Sequence, residues 1–481
     1  MNGPASILGF CGHWPRAGAL AVIVMALAGC ALTTPPTHEA IVADALPKNT
    51  RIAPAWVADP ATGEVANDWL KSFQDPTLDA LVAEALANNP DLREAATKVE
   101  IAQQAVIVVG ARLLPQVGVQ IGGTALYDWD HNGNYTSTVG YVGVAWELDV
   151  WGRLRAQRAA AEASAEAVAL DYAYARQSLA ATTAMLWFLA TESRQLLALS
   201  EESVRIYGQL YQLVLQRRNA GKDSDLDVVD VRAKLETAQS EVVAARQAYG
   251  EVRRALEVLL GRYPAAEVEA APTYPPLPAP VTAGLPSSLL ERRPDIVAAE
   301  RAVLSAFRRQ EAAKLALLPD FSLSFAGGRV GDNVLSLLRL NPWLASVGIG
   351  MSIPIYEGGA LQAKVVIATA EQADAVARYG SIALAAFREV ENSLASEQAI
   401  MQRIPLGEKA LADRTEAVRI SLVQYKAGRI DLLWVAQLQT VQIANQEIVI
   451  KLRGAQRLNR VRLHQALGGS FERAPAVALE K

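Results

Sequence analysis

Cysteine and histidine are nearly missing from this chain, at two and four of 481 residues. No HExxH, GxSxG, phosphate-loop or dinucleotide-binding glycine pattern occurs. The series Asp223-x-Asp225-x-Asp227 opens like a calcium loop. It then carries Val228 where the turn glycine belongs and Lys234 where the bidentate glutamate belongs. No cofactor, no metal site and no enzymatic activity are therefore expected. Aromatics make up only 6% of the chain, and no basic patch carries interleaved aromatics, so nucleic acid is not an expected partner. After Ala31 no apolar run is long enough for a transmembrane helix.

What is present begins with an address. Arg16 is the one charged residue before an apolar run from Ala17 to Ala28, too short to span a bilayer. The run ends in Leu27-Ala28-Gly29-Cys30, where small residues let a peptidase cut beside a thiol that takes lipid. This segment resembles a bacterial lipobox. It predicts a signal peptide over 1–29 and a lipidated mature N-terminus at Cys30; an ordinary signal peptide with a stray cysteine is the alternative. Ala31 follows, not the aspartate of an inner-membrane retention signal, which favours the outer membrane. Cys11 falls in the removed segment, so the mature chain would hold no free thiol and no disulfide. Loss of Arg16 takes the formal charge from −4 to −5.

The chain also repeats itself. Asn89-Pro90-Asp91-Leu92 precedes Leu114-Pro115, and Arg293-Pro294-Asp295-Ile296 precedes Leu318-Pro319; both Asp-to-Pro intervals are 24. Ala220-Gly221 precedes Leu260-Gly261, and Ala427-Gly428 precedes Leu467-Gly468; both Gly-to-Gly intervals are 40. The offset drifts only from 204 to 207, which marks an internal two-fold duplication. The expected plan is a lipid-anchored segment 30–68, a first repeat 69–261, a Pro/Ala-rich connector 262–286, a second repeat 287–468 and a tail 469–481.

Within each repeat the apolar period switches. Val117, Val119, Ile121, Ala125, Tyr127 and Trp129 alternate with Gln120, Thr124 and Asp128, and Val142, Val144, Trp146 and Leu148 form the return run. The second repeat does the same with Phe321, Leu323 and Phe325, then Val347, Ile349, Met351, Ile353 and Ile355. A period of two predicts β-hairpins over 115–151 and 319–356 of membrane-strand length. The alternative is a soluble antiparallel sheet with one wet face. From Leu154 to Asn219 there is no proline and one glycine, Gly208, so a helix of roughly 100 Å is expected. Its counterpart, from about Ala360 to Ala427, is expected to be interrupted at Gly380 and Pro405. Shorter helices return over about Leu226–Leu260 and Leu432–Leu467.

Four membrane strands cannot close a barrel, and an open edge in lipid leaves backbone groups unpaired at several kcal/mol each. Protomers must share a barrel. Two would give eight strands and a filled interior, three would give twelve and a lumen. Serine, glycine and threonine on the inward face favour the wider form.

The motifs converge on one family. Trp69, Phe73, Asp75-Pro76, Leu78, Leu81, Ala85-Leu86 and Asn88 open the series. Leu113-Leu114-Pro115 and Trp146-Glu147-Leu148-Asp149-Val150-Trp151-Gly152-Arg153 continue it, followed by Arg293-Pro294-Asp295-Ile296 and Pro354-Ile355-Tyr356-Glu357-Gly358-Gly359. From about Trp69 to Gly468 the chain resembles a TolC-like outer-membrane efflux protein, of the NodT-type lipoprotein branch that serves resistance-nodulation-division pumps. The resemblance implies an α + β membrane protein: a trimeric, shared twelve-stranded β-barrel, four strands per protomer, continued by a long α-helical periplasmic tunnel. It implies a homotrimer in outer-membrane lipid, working with a periplasmic adaptor and an inner-membrane pump as a passive conduit for drugs or metal ions. A type I protein-secretion conduit and a non-conducting periplasmic coiled-coil scaffold are the alternatives.

The resemblance further places the gate at the periplasmic helix tips, near the two Ala-Gly turns. Asp227 aligns with a position that holds the closed state by bonding a tyrosine, and Tyr425 aligns with that tyrosine. Asp223 and Asp431 are the further gate candidates, and an acidic helix cap in solvent is the plainer reading of this turn. Trp434 and Gln437 stand where many relatives carry aspartates. Gly221 and Gly428 are the candidate adaptor contacts, and each serves equally as a helix-capping glycine.

Overall fold

A computed structural model describes residues 32–58, 63, 65–128, 133–331, 337 and 343–472. Cys30 and Trp129 lie outside the described residues. In chain order the elements are α1 (His38–Ala45), α2 (Trp69–Ser72), α3 (Pro76–Asn88), α4 (Pro90–Gly110), β1 (Gln116–Asp128) and β2 (Gly133–Leu148). Then come α5 (Arg153–Asn219), α6 (Asp225–Leu259), α7 (Pro286–Arg292) and α8 (Pro294–Leu315). The series ends with β3 (Asp320–Gly331), β4 (Leu344–Ser352), α9 (Ala360–Lys426) and α10 (Leu432–Ala466). The repeated plan is visible in lengths: α5 and α9 have 67 residues each, α6 and α10 have 35 each.

Two compact units divide the chain. One comprises Met1–Leu46, Glu100–Ala167 and Glu300–Arg378; the other comprises Pro47–Val99, Val168–Ala299 and Tyr379–Lys481. The first contains a single antiparallel sheet in the order β1-β2-β3-β4. Its register sets Val117 beside Val144, Val144 beside Phe325 and Phe325 beside Val347, so one apolar face runs across all four strands. The other face carries Gln116, Ala145, Ser324 and Gly348 on the neighbouring rung. A soluble sheet would cover its apolar face. Here Val119 and Ile349 on that face are 72% and 82% exposed. Trp151 packs on Phe321 at the helical end of the face, which suits an interfacial aromatic. The apolar alternation continues past the sheet: β4 ends at Ser352, and Ile353 and Ile355 lie beyond it. Pro354 has no N–H to extend the ladder.

The second unit buries a core in which Trp69, Phe73 and Leu78 pack on Ala180, Ala184 and Phe188 of α5 and Leu256 of α6. Asp75 caps α3 by accepting from the Thr77 and Leu78 N–H groups (3.0 and 3.1 Å) and bonds the Trp187 indole (2.8 Å). The connector is held along its length. Glu257 accepts the N–H groups of Ala266, Glu267 and Val268, and Arg460, almost fully buried, donates to the Pro278 and Ala279 carbonyls.

One expectation fails here. α9 runs unbroken through Gly380 and Pro405. Gly380 costs only about 1 kcal/mol in so long a helix. Pro405 frees the Met401 carbonyl, but both residues lie on an exposed stretch where water can take that bond. Among the described residues no helix is long and apolar enough to cross a membrane.

Candidate functional site

The C-terminus of α5 ends in a left-handed glycine cap. Gly221 has φ +70, its N–H bonds the Arg218 carbonyl, and the Lys222 N–H bonds that of Arg217 (2.9 Å each). The end of α9 repeats it: Gly428 has φ +70, bonding Tyr425, and Arg429 bonds Gln424 (2.9 Å each). A Cβ at either glycine would meet nothing within 4 Å. Within the protomer, then, backbone handedness alone demands glycine.

The first cap turns the chain so that Asp223 folds back on α5. The Arg217 Nε donates to both Asp223 carboxylate oxygens (3.1 Å), and the Asp223 side chain is only 5% exposed. The Tyr425 hydroxyl donates to the same carboxylate from the other repeat. The Arg217 guanidinium lies 4.3 Å from the Tyr425 ring centre, in cation–π range. Burial, and then the Asp223 carboxylate, push the Tyr425 hydroxyl above its ordinary pKa, so it remains a donor at physiological pH. The Tyr425 ring belongs to an apolar cluster with Tyr207, Leu210, Val214, Val231, Leu432 and Val435. The tip opens into a cleft of about 880 Å³ whose walls include Arg217, Asp223, Asp227, Tyr425, Gly428 and Asp431.

Two of the four gate candidates are brought together, but not the pair expected. Asp227 occupies the third position of α6 and closes a capping box: its carboxylate accepts from the Ser224 N–H (2.9 Å) and hydroxyl (2.6 Å), while Ser224 Oγ accepts from the Asp227 N–H. That carboxylate is used by its own helix, and Tyr425 meets Asp223 instead. Asp431 stands at the start of α10 without a side-chain capping bond and is exposed. Nothing in the sequence pattern marks Arg217. Its partner is six positions ahead, and only the glycine cap makes that spacing a contact. Among the described residues no group of three or more acidic or histidine side chains could hold a metal ion.

The sequence profile of the family described as outer membrane efflux protein matches residues 81–262 and 285–469, one segment in each repeat. The pyoverdine export outer membrane protein OpmQ of Pseudomonas putida is 28% identical over 479 residues, covering 95% of this chain and 98% of OpmQ. The cation efflux system protein CusC of Escherichia coli is 26% identical over 477 residues, covering 98% and 99%. A solved structure of CusC superposes with a TM-score of 0.78 at 26% identity, covering 88% of this chain and 99% of that one.

Proposed function

The chain belongs to the outer membrane efflux protein family and is an outer-membrane channel subunit of an efflux pump, and we propose that it works as a homotrimeric passive conduit gated where Tyr425 meets Asp223. The observation that carries the reading is the open sheet. Among the described residues β1 and β4 are each paired on one side only, and the exposed apolar face cannot be left to water. Pairing β4 of one copy with β1 of the next closes the edges, and three copies give twelve strands around a lumen lined by Ser322, Ser324, Ser346 and their glycine neighbours.

The conduit does no chemistry. A wet wall of small and polar side chains, with Gln116, Gln120 and Glu147 beside the serines and glycines, supports a general path, and relatives named for pyoverdine export and cation efflux match this chain over nearly their whole length. Cargo is therefore chosen by the inner-membrane pump and its periplasmic adaptor, and small molecules or metal ions pass. The adaptor meets the tips at the turns of Gly221 and Gly428. Cys30 carries lipid, which mass spectrometry of the N-terminal peptide tests directly.

With Cys11 removed and Cys30 acylated as proposed, the mature chain has no free thiol, which allows a simple test of closure. Val119→Cys combined with a scan of cysteines at Ala345, Val347 and Ile349 should give, on oxidation, covalent trimers for one pairing. Dimers as the end point would make the barrel eight-stranded. Monomers throughout would refute edge-to-edge sharing.

A further inference from the structure

Arg308 and Glu311 sit one turn apart on α8 and pair at 2.6 Å, with side chains only 14% and 9% exposed. Together they engage every polar group of Thr33. The Glu311 Oε1 accepts the Thr33 N–H (2.7 Å) and hydroxyl (2.6 Å), and Arg308 donates to the Thr33 carbonyl (2.8 Å). Burial opposes ionisation of Glu311, but the bonds from Thr33 and Arg308 outweigh it and hold the carboxyl below its ordinary pKa. An i,i+3 pair on a helix needs no third member. This one is completed by a residue of the N-terminal segment.

The neighbouring contacts show where that segment is seated. Leu32 Cδ2 lies 3.1 Å from where Gly152 would carry a Cβ, so a larger residue there would crowd it. Gly152 follows Trp151, whose indole donates to the Pro319 carbonyl (2.8 Å) just before β3 and whose ring meets Phe321. Thr33 is thus held at the helical end of the sheet, where the apolar face begins. Further along, the His38 Nδ1 bonds Glu300 (2.7 Å) and Ile41 is buried.

We infer that the Arg308–Glu311 pair is a receptor for Thr33 that positions the lipid anchor beside the base of the strands. The inference rests on the proposed acylation of Cys30, three residues upstream, a reach of at most about 10 Å. Acyl chains so tethered enter the bilayer next to the apolar face of the same protomer. The clamp turns membrane anchoring and strand placement into one event at high effective concentration. Arg308 and Glu311 are positioning residues for that anchor. Because they read a backbone and a hydroxyl, serine serves at position 33 as well as threonine.

The test compares acylated wild type with Glu311→Ala and Thr33→Val in lipid nanodiscs, by hydrogen exchange of residues 33–45. Glu311→Ala should exchange at least tenfold faster there, and Thr33→Val, which keeps the Arg308–Glu311 pair, should lie between. Wild type carrying p-benzoylphenylalanine in place of Leu32 should crosslink to the Trp151–Arg155 peptide, and Glu311→Ala should abolish that product. Unchanged exchange and crosslinking in both variants would overturn the clamp. If Glu311→Ala fails to fold, unchanged exchange in Thr33→Val alone overturns it. A wild-type N-terminus without acyl chains would remove the anchor, while the exchange data would still judge the clamp.

Discussion

The Tyr425 hydroxyl donates to the Asp223 carboxylate across 202 positions of sequence, tying the tip of one repeat to the tip of the other. Arg217 completes the contact by bonding both Asp223 oxygens and covering the Tyr425 ring. A bond to a charged acceptor contributes about 1.5–3 kcal/mol, so under the proposed gating three copies in the trimer would contribute several, enough to keep an open state rare.

Tyr425→Phe removes the donor and keeps the ring, and Asp223→Asn removes the charge. Each should sensitise cells to large antibiotics that the outer membrane otherwise excludes. The double variant should show less than the sum of the two effects, because the residues share one bond. Asp227→Ala should instead destabilise α6 by about 0.5–2 kcal/mol through loss of the capping box, with a smaller effect on permeability. Susceptibility assays and melting curves on the four variants separate these outcomes.

At Gly428 backbone and partner can be told apart. Its φ of +70 is disfavoured for alanine by about 1–2 kcal/mol and tolerated by asparagine. Gly428→Asn should therefore assemble normally yet lose export if an adaptor packs closely on the turn. Export equal to wild type in the asparagine variant, measured by drug accumulation, would leave capping as the glycine's whole role.

Most of the architecture was legible because two periodicities carry it. Alternation at Val117–Ile121 and Phe321–Phe325 reports a sheet with one apolar face, and the proline-free stretch from Leu154 reports α5. What escaped is local geometry. The Ser224-x-x-Asp227 spacing is itself a capping-box signal, and it shows why Asp227 is not available to Tyr425. Arg217 was hidden because its reach to Asp223 depends on a left-handed turn. Pro405 does not end α9 because the helix runs on to Lys426 beyond it and water can take the freed Met401 carbonyl on that exposed stretch. The Thr33 clamp joins residues 278 positions apart, with no periodicity to announce it.

Glu192 on α5 lies against α10, its carboxylate where Gly454 would carry a Cβ. Burial, partly opposed by Lys451, pushes its pKa up from 4.5 to about 7. A folded pKa above the unfolded one means its contribution is fully present below pH 4.5 and is lost as pH rises through 7. Glu192→Gln should thus leave stability unchanged near pH 4.5 and raise it near pH 8 by about 1–2 kcal/mol, a figure reduced for solvent screening. Paired thermal melts at the two pH values measure this.

His464 stacks on Trp69 with ring centres 5.6 Å apart. Burial, and then Arg460, push its pKa down from 6.5 to about 3. Here the folded value lies below the unfolded one, so stability is held above pH 6.5 and lost as pH falls towards 3. His464→Phe keeps the stack and removes the proton site. Its denaturation midpoint should fall less between pH 7 and pH 4 than that of wild type.

Planar-bilayer recording of the purified protein tests the conduit most directly. Wild type should insert as discrete units of low conductance, and Tyr425→Phe should give steps of the same kind at several-fold higher mean current. Insertion of both proteins without any current step would contradict the account.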